Sequence, residues 1–345
     1  MGEKAAHVTP CVAEQRRICD KIVHTDMEHT TFDELYSQLQ ELYHDEEYLA
    51  ALDLATQAVE QFPEQRTVLD YWCMTLSART GNPQQALSIL QAALDSGCWY
   101  SELLLRRSPS LKALQGSPEF EGLIARNQEA AERDQQTHFP LFTLRPQGKC
   151  HSGGPPCPLL IGLHTNGGNV QSSLDFWKPA ATSGWLVAAP QSSQAIWKGS
   201  YVWDDRAVAE AEVKKHFMVL GERYAVDAKR SILAGHSLGG ELAIYMTLSG
   251  SVAARRFLAI GPAGPFMDDL NEWEPLLHEN PIQGMRGYIV TGELDSTISH
   301  ININNLVAVF NQVGIPTRLE TIPDAAHAYN SAFDAAILRA LEFLK

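Results

Sequence analysis

A serine at the centre of the pattern Gly-His-Ser-Leu-Gly, residues 235–239, is the side chain whose surroundings point most directly to chemistry. The four residues before the pattern indicate a buried strand, and residues 241–248 after it indicate a helix. A chain that reverses from strand to helix within a few residues needs glycine where the backbone is crowded. The serine at the apex is then held in a strained conformation, with its hydroxyl above the edge of the sheet. Ser237 is therefore a candidate nucleophile, and a serine in an ordinary tight turn is the alternative.

An acid and a base follow the candidate nucleophile, each directly after a predicted strand. Asp295 ends the sequence Gly-Glu-Leu-Asp, where a carboxylate can orient an imidazole and stabilise its charged form. Glu293 is the first alternative acid and Asp324 the second. His327 stands in a short loop of small residues before the last helix, where a neutral ring can accept the serine proton and return it to a leaving group. His300 is the alternative base.

A glycine-bearing turn, His-Thr-Asn-Gly-Gly-Asn at residues 164–169, follows an apolar strand. A tetrahedral oxyanion needs two fixed N–H donors, and such a turn can direct one of them at it. We expect this donor to be the amide of Asn166, with Thr165 as the second choice. The other expected donor is the amide of Leu238, which begins the helix after the nucleophile. The ring of His164 is expected to anchor the loop rather than to act as a base.

The elements that position these residues are predicted between residues 140 and 345, where apolar strands alternate with amphipathic helices. This alternation is typical of a mostly parallel α/β sheet. Seven strands are predicted, at 141–144, 159–163, 185–189, 231–234, 257–260, 288–291 and 318–322. Helices are predicted from 172 to 176 and beyond, and at 207–223, 239–248, 301–312 and 331–344.

The first third of the chain has a different pattern. Residues 1–30 carry no clear apolar period and are expected to be flexible, whereas residues 31–135 show helical spacing without strand alternation. Ala-Leu pairs at 51 and 86 mark a shift of 35 residues, and the segment resembles the tetratricopeptide repeat. Because only two units are visible, we expect the segment to dock on the following domain. It is interpreted as a surface for a protein partner, a self-association module, or a helical cover that stabilises the enzyme.

Composition excludes several classes of function. The 345 residues are enough for two domains, and a formal net charge of −14 argues against nucleic acid or an anionic membrane as a partner. No apolar run is long enough to span a bilayer, and no secretory signal is expected, since the first residues lack an apolar core. Six cysteines in so long a chain are expected to be the reduced thiols of a cytoplasmic protein. Cys150 and Cys157 bracket a Gly/Pro loop and could pair, but no zinc-type spacing occurs.

With these motifs in order, residues 140–345 resemble the α/β-hydrolase superfamily, most of all its compact carboxylesterase, lysophospholipase and dienelactone-hydrolase-like branch. The chain order of nucleophile, acid and base is that of these hydrolases. The resemblance implies an α/β-hydrolase fold, with a mostly parallel doubly wound sheet preceded by the all-α tetratricopeptide-like segment. It also implies Ser237 as nucleophile, Asp295 as acid and His327 as base, with Leu238 and Asn166 as oxyanion donors.

Two positions depart from the family pattern. Thr165 stands where the family usually has glycine after the histidine of the oxyanion turn, which leaves the choice of donor open. The dienelactone hydrolases proper use cysteine as nucleophile, and a serine stands at position 237 here. Their substrate class is therefore not carried over to this chain.

The predicted function is that of a serine esterase that forms an acyl-enzyme on a small or medium carboxylic ester or thioester. No metal or cofactor is implied. Trp203, Trp197 and Tyr201 are candidates for lining the substrate pocket, with ordinary packing as the alternative. Two other hypotheses remain. A serine peptidase of the same fold would usually carry a larger gating domain, and a catalytically silent scaffold would act through the helical repeats.

Overall fold

The computed structural model describes residues 31–135, 141–151 and 153–345. Residues 1–30, predicted to be flexible, lie outside this part of the chain. The chain divides into two compact units. The first unit comprises residues up to Asp95 together with Arg106–Leu123, and the second comprises Ser96–Leu105 and Ile124–Lys345.

Four helices make up most of the described residues of the first unit. In chain order they are α1 (Phe32–His44), α2 (Tyr48–Gln61), α3 (Arg66–Arg79) and α4 (Pro83–Asp95). The first helix begins with a capping box, in which the Thr31 hydroxyl accepts from the Glu34 amide and the Glu34 carboxylate accepts from the Thr31 amide. The alanines that recur in the sequence all have buried side chains, at positions 51, 58, 86 and 93. The tetratricopeptide relationship and a partner for this unit stay predictions.

Two further helices, α5 (Glu102–Arg107) and α6 (Pro118–Gln135), complete the helical part of the chain. A 3-10 segment at Pro109–Leu114 lies between them. The predicted helical character of residues 31–135 is therefore confirmed, and the first strand of the described residues begins at Leu141.

Seven strands of the second unit form one sheet. They are β1 (Leu141–Leu144), β2 (Cys157–Leu163), β3 (Leu186–Pro190), β6 (Val226–His236), β7 (Arg256–Ile260), β8 (Arg286–Gly292) and β9 (Thr317–Ile322). Their order in the sheet is β1-β3-β2-β6-β7-β8-β9, and all neighbours are parallel except β1, which is antiparallel to β3. Each contains most or all of a strand predicted from the sequence, and the predicted fold class is confirmed.

Helices cover both faces of this sheet, as a sheet with apolar residues on both faces requires. They are α7 (Val170–Thr182), α8 (Arg206–Arg223), α9 (Leu238–Leu248), α10 (Pro265–Asp268), α11 (Glu274–Glu279), α12 (His300–Gln312) and α13 (Ala332–Phe343). One core cluster packs α7 and α13 on the sheet, and another packs α8 and α9 on it. The register places Leu163 beside Gly235 and His236 beside Ile260, so that the carboxyl ends of the central strands lie at one edge.

A short hairpin, β4 (Gln194–Trp197) and β5 (Ser200–Val202), was not among the predicted elements. Its strands are too short for a clear alternation of apolar and polar residues, although Gly199 supplies the positive φ of 80° that a tight turn favours. The hairpin forms a bridge to Tyr100, and the Ser101 amide donates to the Ile196 carbonyl over 2.6 Å. The segment before α5 is thereby joined to the sheet unit.

The cysteines differ from the interpretation that all are reduced thiols. Cys150 and Cys157 form a disulfide, and their Cα atoms are 5.6 Å apart, within the range that a disulfide spans. Among the described residues, Cys73 and Cys98 remain thiols. The proposed pairing across the Gly/Pro loop is therefore present in the structure.

Among the described residues, no helix has the length and apolar character needed to cross a membrane.

Candidate active site

The turn between β6 and α9 places Ser237 at the carboxyl edge of the sheet. Ser237 has φ 55° and ψ −125°, a conformation that side-chain-bearing residues rarely adopt. The flanking glycines are required by close backbone contacts. A Cβ atom on Gly235 would lie 2.0 Å from the Gly239 carbonyl oxygen, and one on Gly239 would lie 2.5 Å from the His164 carbonyl oxygen. The strained turn expected from the sequence is thus built from the residues that the pattern supplies.

Ser237, His327 and Asp295 form one hydrogen-bonded chain. The Ser237 Oγ lies 2.9 Å from His327 Nε2, and His327 Nδ1 lies 2.8 Å from Asp295 Oδ2. Asp295 is only 3% exposed, and its other oxygen accepts from the Thr297 amide over 3.0 Å. With the proton of the ring on Nδ1, the imidazole donates to the carboxylate and accepts from the serine hydroxyl. This arrangement can draw a proton from Ser237 and stabilise the imidazolium that results.

The alternative acids and base lie outside this chain of hydrogen bonds. The Glu293 carboxylate accepts from the Asp324 amide over 3.4 Å, and both residues are exposed. His300 Nε2 is 3.2 Å from the backbone carbonyl oxygen of Asp295, so its ring contacts the acid's main chain and not its carboxylate. The structure therefore brings together the three residues that were first choices from the sequence.

Gly261, directly after β7, lies against the acid and the base. It has φ 47°, and a Cβ atom there would be 3.1 Å from Asp295 Oδ2 and 3.2 Å from His327 Nδ1. A glycine at this position allows the backbone to approach the hydrogen bond between carboxylate and imidazole. The main chain thus covers that bond on one side.

Two amides in the turn after β2, and one at the start of α9, have no acceptor among the described residues. The Gly167 amide donates to the Tyr201 carbonyl and the Gly168 amide donates to the Thr165 carbonyl. By contrast, the amides of Thr165, Asn166 and Leu238 make no hydrogen bond to any described residue. These are the three amides that the sequence singled out as candidate oxyanion donors.

His164 holds this turn from inside the protein. Its Nδ1 lies 2.9 Å from the Thr165 carbonyl oxygen, and its Nε2 accepts from the Ser192 amide over 3.3 Å. The ring stacks on Trp203 with centroids 4.6 Å apart, and the Trp203 indole N–H donates to the His164 carbonyl over 3.0 Å. Burial lowers the pKa of His164 to about 4, so the ring is neutral at physiological pH. Its contacts are those of an anchor for the loop.

His236 is a residue of the site that the sequence reasoning did not single out. Its Nε2–H donates to the backbone carbonyl of His327 over 2.9 Å, and its ring stacks on Phe176 with centroids 5.0 Å apart. Burial, followed by the charge of His327, lowers the pKa of His236 to about 4. The Gly-His-Ser pattern contains the residue but gives no signal of a partner 91 positions away. Its hydrogen bond fixes the main chain of the loop that carries the candidate base.

A cavity of about 450 Å³ borders the turn after β2, the strand end at His236 and the loop after His327. Its walls are largely apolar and aromatic, and its lining residues are Leu163, His164, Thr165, Ser172, Ser173, Asp175, Phe176, Trp177, His236, Ala328 and Tyr329. A cavity of this size and lining is typical of small-molecule sites.

The three aromatic residues suggested for a substrate pocket lie elsewhere and do not line this cavity. Trp203 is buried against His164, as described above. Trp197 pairs with Tyr100 in the bridge to the hairpin, and the Tyr201 carbonyl accepts from the Gly167 amide. All three support the turn and the hairpin through packing and main-chain contacts.

Among the described residues, no group of three or more His, Cys, Asp or Glu side chains is arranged to hold a metal ion.

Comparisons with known proteins concern both parts of the chain. Residues 31–136 match the family model described as "A/B hydrolase-like, N-terminal domain". A search of curated proteins finds no match. A crystal structure of an uncharacterized protein from Bacillus cereus ATCC 10987 is 22% identical, with a TM-score of 0.50 over 92% of this chain and 99% of that chain.

Two esterases are among the other similar structures. The Bacillus cereus carboxylesterase is 15% identical, with a TM-score of 0.45 over 61% of this chain and 95% of its own. Esterase PE8 is 17% identical, with a TM-score of 0.46 over 59% of this chain and 96% of its own. The helical segment thus matches a family model by sequence, and the second unit has the mostly parallel α/β sheet described above.

Proposed function

We propose that the protein is a serine hydrolase, a carboxylesterase that cleaves a small or medium carboxylic ester or thioester through an acyl-enzyme. The observation that carries the proposal is the chain of two hydrogen bonds, 2.9 and 2.8 Å long, that links Ser237 to His327 and His327 to Asp295. A serine hydroxyl is a weak nucleophile on its own and is activated by an adjacent base that a third group orients.

In the first half of the proposed reaction, Ser237 Oγ attacks the carbonyl carbon of the ester while its proton passes to His327 Nε2. The buried carboxylate of Asp295 stabilises the imidazolium. The carbonyl oxygen becomes an oxyanion that accepts from the amides of Leu238 and Asn166 in this proposal, with Thr165 as the alternative to Asn166. The tetrahedral intermediate collapses when the imidazolium gives its proton to the departing alcohol or thiol.

In the second half, water replaces the alcohol. His327 removes a proton from the water, whose oxygen attacks the acyl carbon, and Ser237 leaves with the proton returned from the ring. The free amides of the turn matter in both halves, since loss of one oxyanion donor typically lowers the rate by about 10²–10³-fold. Their lack of protein acceptors supports this assignment.

The test is labelling with a fluorophosphonate, together with hydrolysis of p-nitrophenyl acetate, in the wild type and in Ser237→Ala and His327→Ala. We expect both variants to lose labelling and turnover in parallel. Ser193→Ala, which removes a serine hydroxyl outside the hydrogen-bonded chain, serves as the matched control and should label like the wild type. Labelling that survives Ser237→Ala would assign the nucleophile elsewhere. A folded wild type that never labels would contradict the proposal as a whole.

A further inference from the structure

The cavity beside the candidate triad has one charged wall. Asp175, on α7, is exposed, and its carboxylate accepts from the Gln171 amide group over 3.0 Å. Within the described residues this is its one hydrogen bond, and it makes no ion pair, not even with Lys178 one turn further along the helix. Its negative charge is therefore not neutralised by the protein and acts on whatever enters the cavity.

No positive charge among the lining residues offsets Asp175. The two lining histidines, His164 and His236, are both neutral at physiological pH, because burial lowers the pKa of each to about 4. The cavity is also lined by Phe176 and Tyr329, whose ring centroids are 5.0 Å apart. Aromatic faces accept apolar groups and cations but give no stabilisation to anions.

The hydroxyl of Tyr329 also offers no stabilisation to an anion in the cavity. Its hydroxyl donates to the Asp334 carboxylate over 2.6 Å, and this hydrogen bond raises the pKa of Tyr329 to about 12. The phenol therefore stays protonated and its proton is engaged with Asp334, so it is not available to an anion in the cavity. Asp175 thus lines the cavity directly, and the Asp334 carboxylate is hydrogen-bonded to a residue that lines it.

We propose that this cavity binds the side of the ester that carries the longer chain, and that Asp175 makes the binding selective by charge. Chains that end in a methyl or an ammonium group are accepted, and chains that end in a carboxylate are rejected. The inference rests on the proposed esterase function, since the bound chain must belong to an ester held at Ser237. The chain can be that of the acid or that of the alcohol, and the experiment separates the two.

The experiment uses two matched series of substrates with the full-length protein. In the first, the alcohol is p-nitrophenol and the acyl chain is hexanoyl, 6-aminohexanoyl or the half-ester of adipic acid. In the second, the acyl group is acetyl and the alcohol is hexanol, 6-aminohexanol or 6-hydroxyhexanoate. For the series that occupies the cavity, kcat/KM for the carboxylate member should be lowest in the wild type. We expect Asp175→Asn to raise that member relative to the methyl member by about fivefold, and Asp175→Lys to raise it by about tenfold or more.

Glu222→Gln is the matched control because it makes the same change in net charge at an exposed position of α8. Glu222 lies near the end of α8 that leads into β6, at the opposite edge of the sheet from Ser237. It should leave the ratios unchanged. Equal ratios in wild type and Asp175 variants, or equal effects of the control, would overturn the charge selection while Ser237-dependent hydrolysis persists. If no ester is hydrolysed by the folded wild type, it is the proposed function that fails.

Discussion

Two aromatic groups lie near the candidate triad, and they differ in how their residues are engaged. In the first group, the Trp203 indole donates to the His164 carbonyl and the main-chain carbonyl of Tyr201 accepts from the Gly167 amide, so both residues belong to a network that holds the main chain. In the second group, Phe176 and Tyr329 present ring surface to a cavity of about 450 Å³. The two groups therefore differ in one respect: Trp203 and Tyr201 are hydrogen-bonded to neighbouring main chain, whereas Phe176 and Tyr329 line the cavity.

The difference between the two groups is tested most strongly by truncating one ring of each. Trp203→Ala should lower the free energy of unfolding by about 3–5 kcal/mol, because it removes a buried indole that is 3% exposed and stacked on His164. Tyr329→Ala should lower it by about 1 kcal/mol or less, since that side chain is 45% exposed. Urea unfolding measures both values. Equal destabilisation by the two variants would show that the two groups do not differ in role.

Acid should destabilise both groups through their buried histidines, His164 and His236. Each has a folded-state pKa of about 4, below the ordinary value of 6.5. The unfolded chain therefore binds more protons between these values, and the free energy of unfolding falls as the pH falls from 6.5 towards 4. The expected loss is about 3 kcal/mol per histidine over this window.

Urea unfolding at several pH values between 7.5 and 4.5 measures this effect. His236→Gln should flatten the dependence by removing one of the two buried rings. His278→Gln is the control, since His278 is an exposed histidine on α11. A slope that is unaffected by His236→Gln and reduced by His278→Gln would place the titrating group elsewhere.

The smallest effect concerns substrate size. If Tyr329 lines the pocket for a chain, Tyr329→Ala should lower kcat/KM for a hexanoate or hexyl ester by roughly tenfold, because apolar contact is lost. The acetate ester of a short alcohol should change by less than about twofold on the same reasoning. Tyr329→Phe keeps the ring and loses only the hydrogen bond to Asp334, so it should behave like the wild type. A parallel loss for short and long esters would instead mean that the substitution disturbs the neighbouring loop of His327.

Much of the sheet region could be predicted because its information is local. Strands such as Leu159–Leu163 are continuous apolar runs between turn residues, and Ser237, Asp295 and His327 each lie in the turn or loop that follows a strand. The elements that were missed depend on contacts between distant segments. The β4–β5 hairpin is stabilised by a bridge to Tyr100, and His236 acts on a carbonyl in another loop.

The cavity next to the candidate triad was the least predictable feature for the same reason. Trp197, Tyr201 and Trp203 stand close together in the sequence, whereas the rings that line the cavity come from α7 and from the loop after His327. Nothing in either segment taken alone indicates that Phe176 and Tyr329 face each other. The disulfide is an intermediate case: the spacing of Cys150 and Cys157 permitted a pair, but the loop geometry had to bring the Cα atoms to 5.6 Å.

At Ser237, the backbone conformation that presents the hydroxyl for its proposed catalytic role also lowers the stability of the fold. Its positive φ is one that glycine adopts freely, and such a conformation costs other residues about 1–3 kcal/mol. Replacing the candidate nucleophile with glycine should thus raise the stability of the fold. Comparing Ser237→Gly with Ser237→Ala isolates this cost, because both lose the hydroxyl and only one loses the strain. Serine at this position therefore lowers the stability of the fold, and the proposed function of its hydroxyl would explain why it is there.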